Sequence, residues 1–222
     1  MSDRRMEMLN TASGIRWLHC QLRGMTVTLG CLLLLGCNPG ASGEPVTVHT
    51  LSVRTLYPEA LQIATTWKPD AYLIGASAYF AIDYPDCSPP SVRFSFYAPS
   101  APYFFLRVQY NSEAQAFEEE AVSSGGSIDS VRYPQILDTD WAVDSTEALE
   151  IAQANGGAEF LAGRSSHYLC GSSVELEKKM IEGQWVTRWC AGYFDVTTPK
   201  SLFVHIDALS GEVTYVGPGI SN

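Results

Sequence analysis

An internal repeat constrains the fold of this sequence more than any other feature. Residues 58–64 read PEALQIA and residues 146–152 read TEALEIA, so five of seven positions agree at an offset of 88 residues. The same offset places Tyr72–Gly75 on Phe160–Gly163. Two matches in one register predict a duplicated structural unit.

Each copy begins with a segment that predicts a helix. In the second copy Asp144 is a suitable N-cap, Glu147 follows three residues later, and Gly-Gly at 156–157 provides a stop. In the first copy Pro58 suits the first helical turn, and Pro69 ends the helix. Alanines on the buried side of both segments would let the helices pack closely on a sheet.

Short aromatic and apolar runs, separated by turn residues, follow each helix and predict strands. These are residues 71–82, 92–97 and 103–110 in the first copy, and 159–169, 184–196, 202–208 and 212–216 in the second. We therefore predict an α+β fold of two repeated units, each a helix packed on an antiparallel β-meander sheet. Between the copies, residues 114–122 are predicted as a short acidic helix and residues 131–137 as an extra strand.

The N-terminal region has the pattern of a secretory signal. Arg16 and Arg23 precede an apolar run, residues 25–36, whose twelve residues are too few for a membrane-spanning helix. The polar, turn-forming stretch 38–45 follows at once. Residues 1–36 are therefore predicted to be a signal peptide that takes no part in the fold.

The tetrad Leu34-Leu35-Gly36-Cys37 resembles the lipobox of bacterial lipoproteins. The resemblance implies that Cys37 is lipid-modified and becomes the mature N-terminus, with residues 37–50 as lipidated cysteine and flexible tether. The protein would then be extracytoplasmic and lipid-anchored to a bacterial membrane. The alternative is an ordinary signal peptide with a chance cysteine.

The end of the second copy, FVHIDALSGEV at residues 203–213, resembles the closing hairpin of PepSY-type domains. The resemblance implies tandem PepSY-like units at 51–123 and 144–222, joined by a linker at 124–143. PepSY domains are associated with peptidase inhibition and with regulation of cell-surface proteins, which implies a protein partner of that class. The tandem layout is similar, more distantly, to the β-lactamase inhibitor protein fold, whose joined sheets offer a concave binding face.

Charge excludes one class of partner. Residues 38–222 carry ten Lys/Arg and 22 Asp/Glu, a net charge of −12. No basic cluster interrupts this acidity, so nucleic acid would be repelled. We interpret the acidity chiefly as a source of solubility.

No pattern indicates catalysis. After Cys37 the histidines are His49, His167 and His205, and motifs such as HExxH, GxSxG, a Walker loop or CxxC do not occur. His167 and Cys170 would lie on opposite faces of a strand, which disfavours a metal site. The sequence predicts a protein that is not an enzyme and that has no cofactor and no metal.

Cysteines at 170 and 190 flank a polar connection that could turn one strand onto the next. An extracytoplasmic location permits a disulfide between Cys170 and Cys190, which would close a loop of about 20 residues. Cys87 would then be the odd thiol, either buried or unpaired.

Aromatic residues supply the candidate binding surface: Trp185, Trp189, Tyr193, Tyr97 and Tyr103. Alternation along a strand places Trp185, Trp189 and Tyr193 on one face. That face is either part of the packed core or an exposed binding surface. We predict a non-catalytic envelope protein that binds another protein, as a peptidase inhibitor or regulator; the alternative is a cell-wall glycan or small-ligand binding module that uses the same aromatics.

Overall fold

The structure is a computed structural model that describes residues 48–82, 89–126, 133–162, 172–194 and 200–218. All of them belong to one compact unit, Pro39–Asn222. The predicted signal peptide, Cys37 and most of the tether lie outside the described residues. No helix within the described ranges is long and apolar enough to cross a membrane.

Ten strands and three α-helices make up the described fold. The helices are α1 (Val53–Trp67), α2 (Ser145–Ala152) and α3 (Ala158–Ala162). The strands are β1 (Val48–His49), β2 (Tyr72–Tyr79), β3 (Ala81–Ile82), β4 (Ser91–Tyr97), β5 (Phe104–Asn111), β6 (Ala116–Ser123), β7 (Ser173–Ile181), β8 (Gln184–Phe194), β9 (Ser201–Asp207) and β10 (Val213–Gly217). A 3₁₀ turn at Asp138–Asp140 precedes α2, and a π-helical turn at Gln153–Gly157 separates α2 from α3.

Eight strands form one continuous antiparallel sheet in the order β10-β9-β8-β7-β2-β4-β5-β6. The prediction of two repeated helix-plus-meander units is wrong, because β2 pairs with β7 and makes a single sheet. Two separate sheets would have left the edges of β2 and β7 without backbone hydrogen-bond partners. Their pairing, in the register Ala76↔Leu176, removes both edges and merges the two apolar faces into one core.

The predicted repeat register also fails beyond the helices. Tyr72–Gly75 begins strand β2, whereas Phe160–Ala162 lies in helix α3. The Gly-Gly pair interrupts the helix but does not end it. Gly156 has φ of +107°, and helical geometry resumes after it. The segment predicted as a strand from residue 159 therefore begins as a helix, because the glycine interrupts the helix without ending it.

Both elements predicted between the copies are corrected. Residues 114–122 were expected to form a helix, but Ala116–Ser123 is strand β6, paired along its whole length with β5. Intrinsic helix propensity is a weak preference that such pairing overrides. Residues 133–137 form no strand; Ile136 makes one backbone hydrogen bond to the carbonyl of Leu73 at 2.9 Å.

Helix α1 begins earlier than Pro58 predicts. Ser52 is its N-cap, and the Ser52 hydroxyl accepts a hydrogen bond from the Thr55 N–H at 3.0 Å. Val53, Ala60 and Ala64 form its buried stripe. The small alanines let the helix axis approach the sheet closely, as the sequence predicts.

The predicted cap of α2 is confirmed, and it also joins the two helices. Asp144 is the N-cap, and its Oδ1 accepts hydrogen bonds from the N–H groups of Ser145 and Arg54 at 2.8 and 3.0 Å. The buried Ser145 hydroxyl accepts from Val53 N–H at 2.9 Å and donates to the Leu51 carbonyl at 2.7 Å. The starts of α1 and α2 are therefore held together by buried polar groups.

The core lies on one face of the sheet, beneath α1 and α2. A registered row of buried side chains crosses six strands: Val108, Phe94, Ala76, Leu176, Trp189 and Ile206. Helix α1 packs on β2, β4 and β5, and α2 packs on β7, β8 and β9. Since alternate residues of a strand point to opposite faces, the remaining residues form a second face away from these helices.

Candidate functional site

We call the sheet surface opposite α1 and α2 the open face. One registered row crosses all eight strands there: Glu118, Gln109, Arg93, Ser77, Glu175, Cys190, His205 and Tyr215. Where the helix-covered row is wholly apolar, this row is mostly polar. The two faces of the sheet therefore differ in polarity along the whole width of the described fold.

Arginines on the open face are fixed by hydrogen bonds. Arg93 donates to the Tyr79 hydroxyl at 3.0 Å and to the Gln109 side-chain oxygen at 3.1 Å. Arg107 pairs with Glu120 at 3.1 Å. These contacts hold the planar guanidinium groups in place.

A denser network lies around Arg188. Its Nε and Nη2 donate to the Glu177 carboxylate at 2.8 Å, and Lys179 Nζ contacts the other oxygen of Glu177 at 2.7 Å. Arg188 Nη1 lies 3.0 Å from His205 Nδ1. Because a guanidinium only donates, Nδ1 must accept, and the ring is neutral with its proton on Nε2.

The environment of this network shifts two pKa values. Burial and the neighbouring Arg188 charge lower the pKa of His205, against a smaller opposing effect of Glu177. Burial, reinforced by the Glu177 carboxylate, raises the pKa of the Cys190 thiol to about 11. At neutral pH both side chains are therefore uncharged.

Two adjoining hollows indent the open face, and Glu177 lines both. The central hollow, of about 290 Å³, lies over the junction of β2 and β7, with Gly75, Ser77 and Ser95 among its lining residues. The lateral hollow, of about 470 Å³, lies over β8–β10 and is lined in part by Phe203 and His205. The open face is therefore uneven, with two depressions on the scale of single side chains.

Gly75 explains why the central hollow exists. Strand β2 has an irregular register between Leu73 and Gly75, where it pairs with β4. A Cβ atom at Gly75 would lie 3.3 Å from the Leu176 carbonyl oxygen, which is tighter than ordinary van der Waals contact. The close approach of β2 to β7 favours glycine here, and the absence of a side chain leaves the centre of the face indented.

The aromatic residues predicted as a binding surface do not lie together on one exposed surface. Trp189 and Tyr193 are fully buried on the helix-covered face, and Tyr97 is only 4% exposed. Trp189 donates its indole N–H to the Val143 carbonyl at 2.9 Å. Trp185 and Tyr103 are exposed, at 40% and 57%. Trp189, Tyr193 and Tyr97 are therefore buried, which corrects their place in the predicted surface.

The residues of the predicted disulfide and of the disfavoured metal site lie only partly within the described ranges. Cys190 is a free thiol there, while its predicted partner Cys170, like Cys87 and His167, lies outside the described ranges. The described part of the chain holds no group of three or more His, Cys, Asp or Glu side chains arranged to bind a metal ion. The Cys170–Cys190 disulfide stays a prediction.

Sequence reasoning did not select the arginines and glutamates of the open face. Arg93, Arg107, Glu175, Glu177 and Arg188 each alternate with buried residues along β4, β5, β7 and β8. That alternation was the available signal, because it separates the two faces of each strand.

Comparisons with known proteins identify no family for this chain. No family model matches the sequence, and a search of curated proteins found no relative. A crystal structure from Clostridium difficile 630, provisionally described as that of a lipoprotein, is similar at 13% sequence identity with a TM-score of 0.46. The similarity covers 73% of this chain and 92% of that one.

Proposed function

We propose that this protein is a lipid-anchored, non-catalytic envelope protein whose open face binds another protein. The observation that carries the proposal is the open face itself: a broad, registered sheet surface with fixed arginines and aromatic side chains. Its size, composition and chemistry each support a protein as the ligand.

The open face is the size of a protein interface. Neighbouring strands lie about 4.8 Å apart and residues about 3.3 Å apart, so eight strands of about seven residues span about 800 Å². A standard interface buries about 800 Å² on each partner. A small sugar or metabolite would occupy a minor part of this area.

The residue types on the open face are those enriched at protein interfaces. Three of the four arginines in the described ranges lie there, namely Arg93, Arg107 and Arg188. Tyr79, Phe105, Phe203 and Tyr215 share the same face. Aromatic residues and arginine are favoured at interfaces, and side chains already held in place lose little entropy on binding.

The chemistry of the open face supports binding over catalysis. The Nδ1 atom of His205 is occupied by Arg188, and the Cys190 thiol, with its pKa of about 11, is not an activated nucleophile. The lipobox at Cys37 supports the anchored location, and the PepSY-like sequence of residues 203–213 makes an envelope peptidase the first partner class to test.

Site-specific photocrosslinking in the native envelope tests the proposal. A photoreactive phenylalanine analogue would replace Gln109 on the open face in one variant, and exposed Gln62 on the outer side of α1 in a matched control. We expect a discrete crosslinked adduct from position 109 and none from position 62, with the crosslinked protein identified by mass spectrometry. Adducts from position 62 alone, or equally from both positions, would overturn the proposal.

A further inference from the structure

We propose that the central hollow receives a cationic side chain, a lysine or arginine, of the partner protein; this inference rests on the proposed function. Three features of the hollow carry it: a floor of small residues, aromatic walls, and a carboxylate without a cationic partner. Each feature is independent of the others, and together they select for positive charge.

The floor admits a side chain. Gly75, Ser77 and Ser95 are small residues that line the hollow, and Gly75 pairs with Ser95 beside the irregularity in the pairing of β2 and β4. A long, thin side chain can therefore lie against the sheet without displacing a larger group.

The walls suit a cation. Phe105 and Tyr133 both line the hollow, and the Arg107 guanidinium already lies over the Phe105 ring, 6.0 Å from its centroid. The face of an aromatic ring attracts lysine or arginine electrostatically. The same rings would pack against the methylene stem of either side chain.

Two glutamates also line the hollow, and they differ in whether they already form ion pairs. Glu177 is already paired with Arg188 and Lys179. Glu175 also lines the hollow. Its Oε1 accepts a hydrogen bond from the Ser173 hydroxyl at 3.0 Å. Among the described residues Glu175 has no ion pair, so its charge remains available to an incoming cation.

The carboxylates that line the hollow favour a cation over an anion. The fixed cations nearby, Arg188 and Lys179, are already paired with Glu177, so an anionic side chain in the hollow would meet the charge of Glu175, which is unpaired within the described chain. A neutral group would cover the Glu175 carboxylate without compensating its lost hydration. A lysine or arginine avoids both costs.

Titration with arginine and its neutral analogue tests the inference. The whole protein, ¹⁵N-labelled and purified in detergent, is titrated with N-acetyl-arginine amide and, separately, with N-acetyl-citrulline amide, which has nearly the same shape without the charge. Amide signals of Gly75, Ser77 and Ser95 report on the hollow. We expect saturable shifts with arginine, and binding of citrulline weaker by about fivefold, the upper range for an exposed charge pair.

Two matched variants distinguish binding in the hollow from general attraction of arginine to an acidic protein. Glu175→Gln should weaken arginine binding about fivefold, whereas Glu118→Gln, the same change on β6 of the same face, should leave it unchanged. Equal binding of arginine and citrulline, equal loss in both variants, or no saturable shift at these amides would each overturn the inference. A stronger response to N,N′-diacetylchitobiose than to arginine would also overturn it.

The titration and the photocrosslinking fail independently. If position 109 crosslinks a protein but arginine does not bind the hollow, the inference is wrong and the proposed function stands. If arginine binds the hollow but no adduct forms at position 109, the proposed function fails, and with it the assignment of the cation to a partner protein.

Discussion

The two faces of the sheet are built from the same strands, and β8 shows how differently they are used. Trp189 points toward the helices, is fully buried, and packs edge-on against Trp141 with ring centroids 6.2 Å apart. Its neighbour Arg188 points the other way and is held by Glu177 and His205. One face supplies the free energy of folding, and the other holds polar groups in fixed positions.

Side chains on both faces are held in fixed positions, but only the covered face does this by hydrophobic packing. On the covered face, order follows from close packing of apolar side chains. On the open face, the long side chains of Arg93 and Arg188 are fixed by hydrogen bonds to neighbouring strands. Substitutions on the two faces should therefore differ in both size and kind of effect.

The largest difference is expected at the two tryptophans of β8. Trp189→Ala removes a fully buried indole and its hydrogen bond to Val143, and should lower the free energy of unfolding by about 3–5 kcal/mol. The control Trp185→Ala, at an exposed position, should cost less than about 1 kcal/mol. Urea denaturation followed by circular dichroism measures both, and similar losses would contradict the burial of Trp189 beneath the helices.

A second expectation concerns the reactivity of Cys190. With its pKa raised to about 11 by burial, this thiol should react with iodoacetamide about 100-fold more slowly near pH 7.5 than an ordinary cysteine. Peptide mass spectrometry of the reduced protein would follow the rate, with the same chain unfolded in urea as the control. Equal rates in the folded and unfolded chain would show that the open face does not shield its thiol.

A smaller effect is expected where the two helices of the covered face meet. Ser145→Ala would leave the Val53 N–H and the Leu51 carbonyl without their partner, at a cost of about 1–3 kcal/mol. Thr65→Ala, which removes an exposed hydroxyl bonded to its own helix, should change stability by less than about 0.5 kcal/mol. Thermal unfolding compares the two, and a neutral Ser145→Ala would show that this buried contact is dispensable.

The smallest effect is a pH dependence of the open face. The pKa of His205 is lower in the folded protein than in the unfolded chain, so the unfolded chain binds more protons near its ordinary value. Stability should therefore fall as the pH drops through about 6.5, because burial disfavours the charged ring and the Arg188 and Lys179 charges add to this effect, which Glu177 offsets only in part. Unfolding free energies at pH 8 and pH 5 should differ less in His205→Gln than in the wild type, and an identical difference would disprove this role.

Local pattern predicted several elements well. The cap at Asp144 and strand β4 were predicted to within a residue, and so was β9. Strand β8 was predicted from Gln184, where it begins. These elements follow from alternation and capping, which act over a few residues and so leave a trace in the local sequence.

The join between β2 and β7 was not predicted, because it pairs residues about 100 positions apart through backbone groups that every sequence carries. The candidate site failed for a related reason. Alternation correctly predicted that Trp185, Trp189 and Tyr193 share a face, but deciding that this face is covered required the positions of α1 and α2. Once the helices are placed, Arg188 and Glu175 emerge on the opposite side from the same alternation.

Joining the strands into one sheet also limits how copies of this protein can associate. In the described fold the long sheet ends at β6 and β10, and both ends are poor templates for another chain. Strand β6 carries Glu118, Glu119 and Glu120 at exposed positions, while β10 is short, irregularly paired and followed by Pro218. Such edges discourage edge-to-edge aggregation, and this protection would be most useful if the proposed lipid anchor concentrates copies of the protein on a two-dimensional surface.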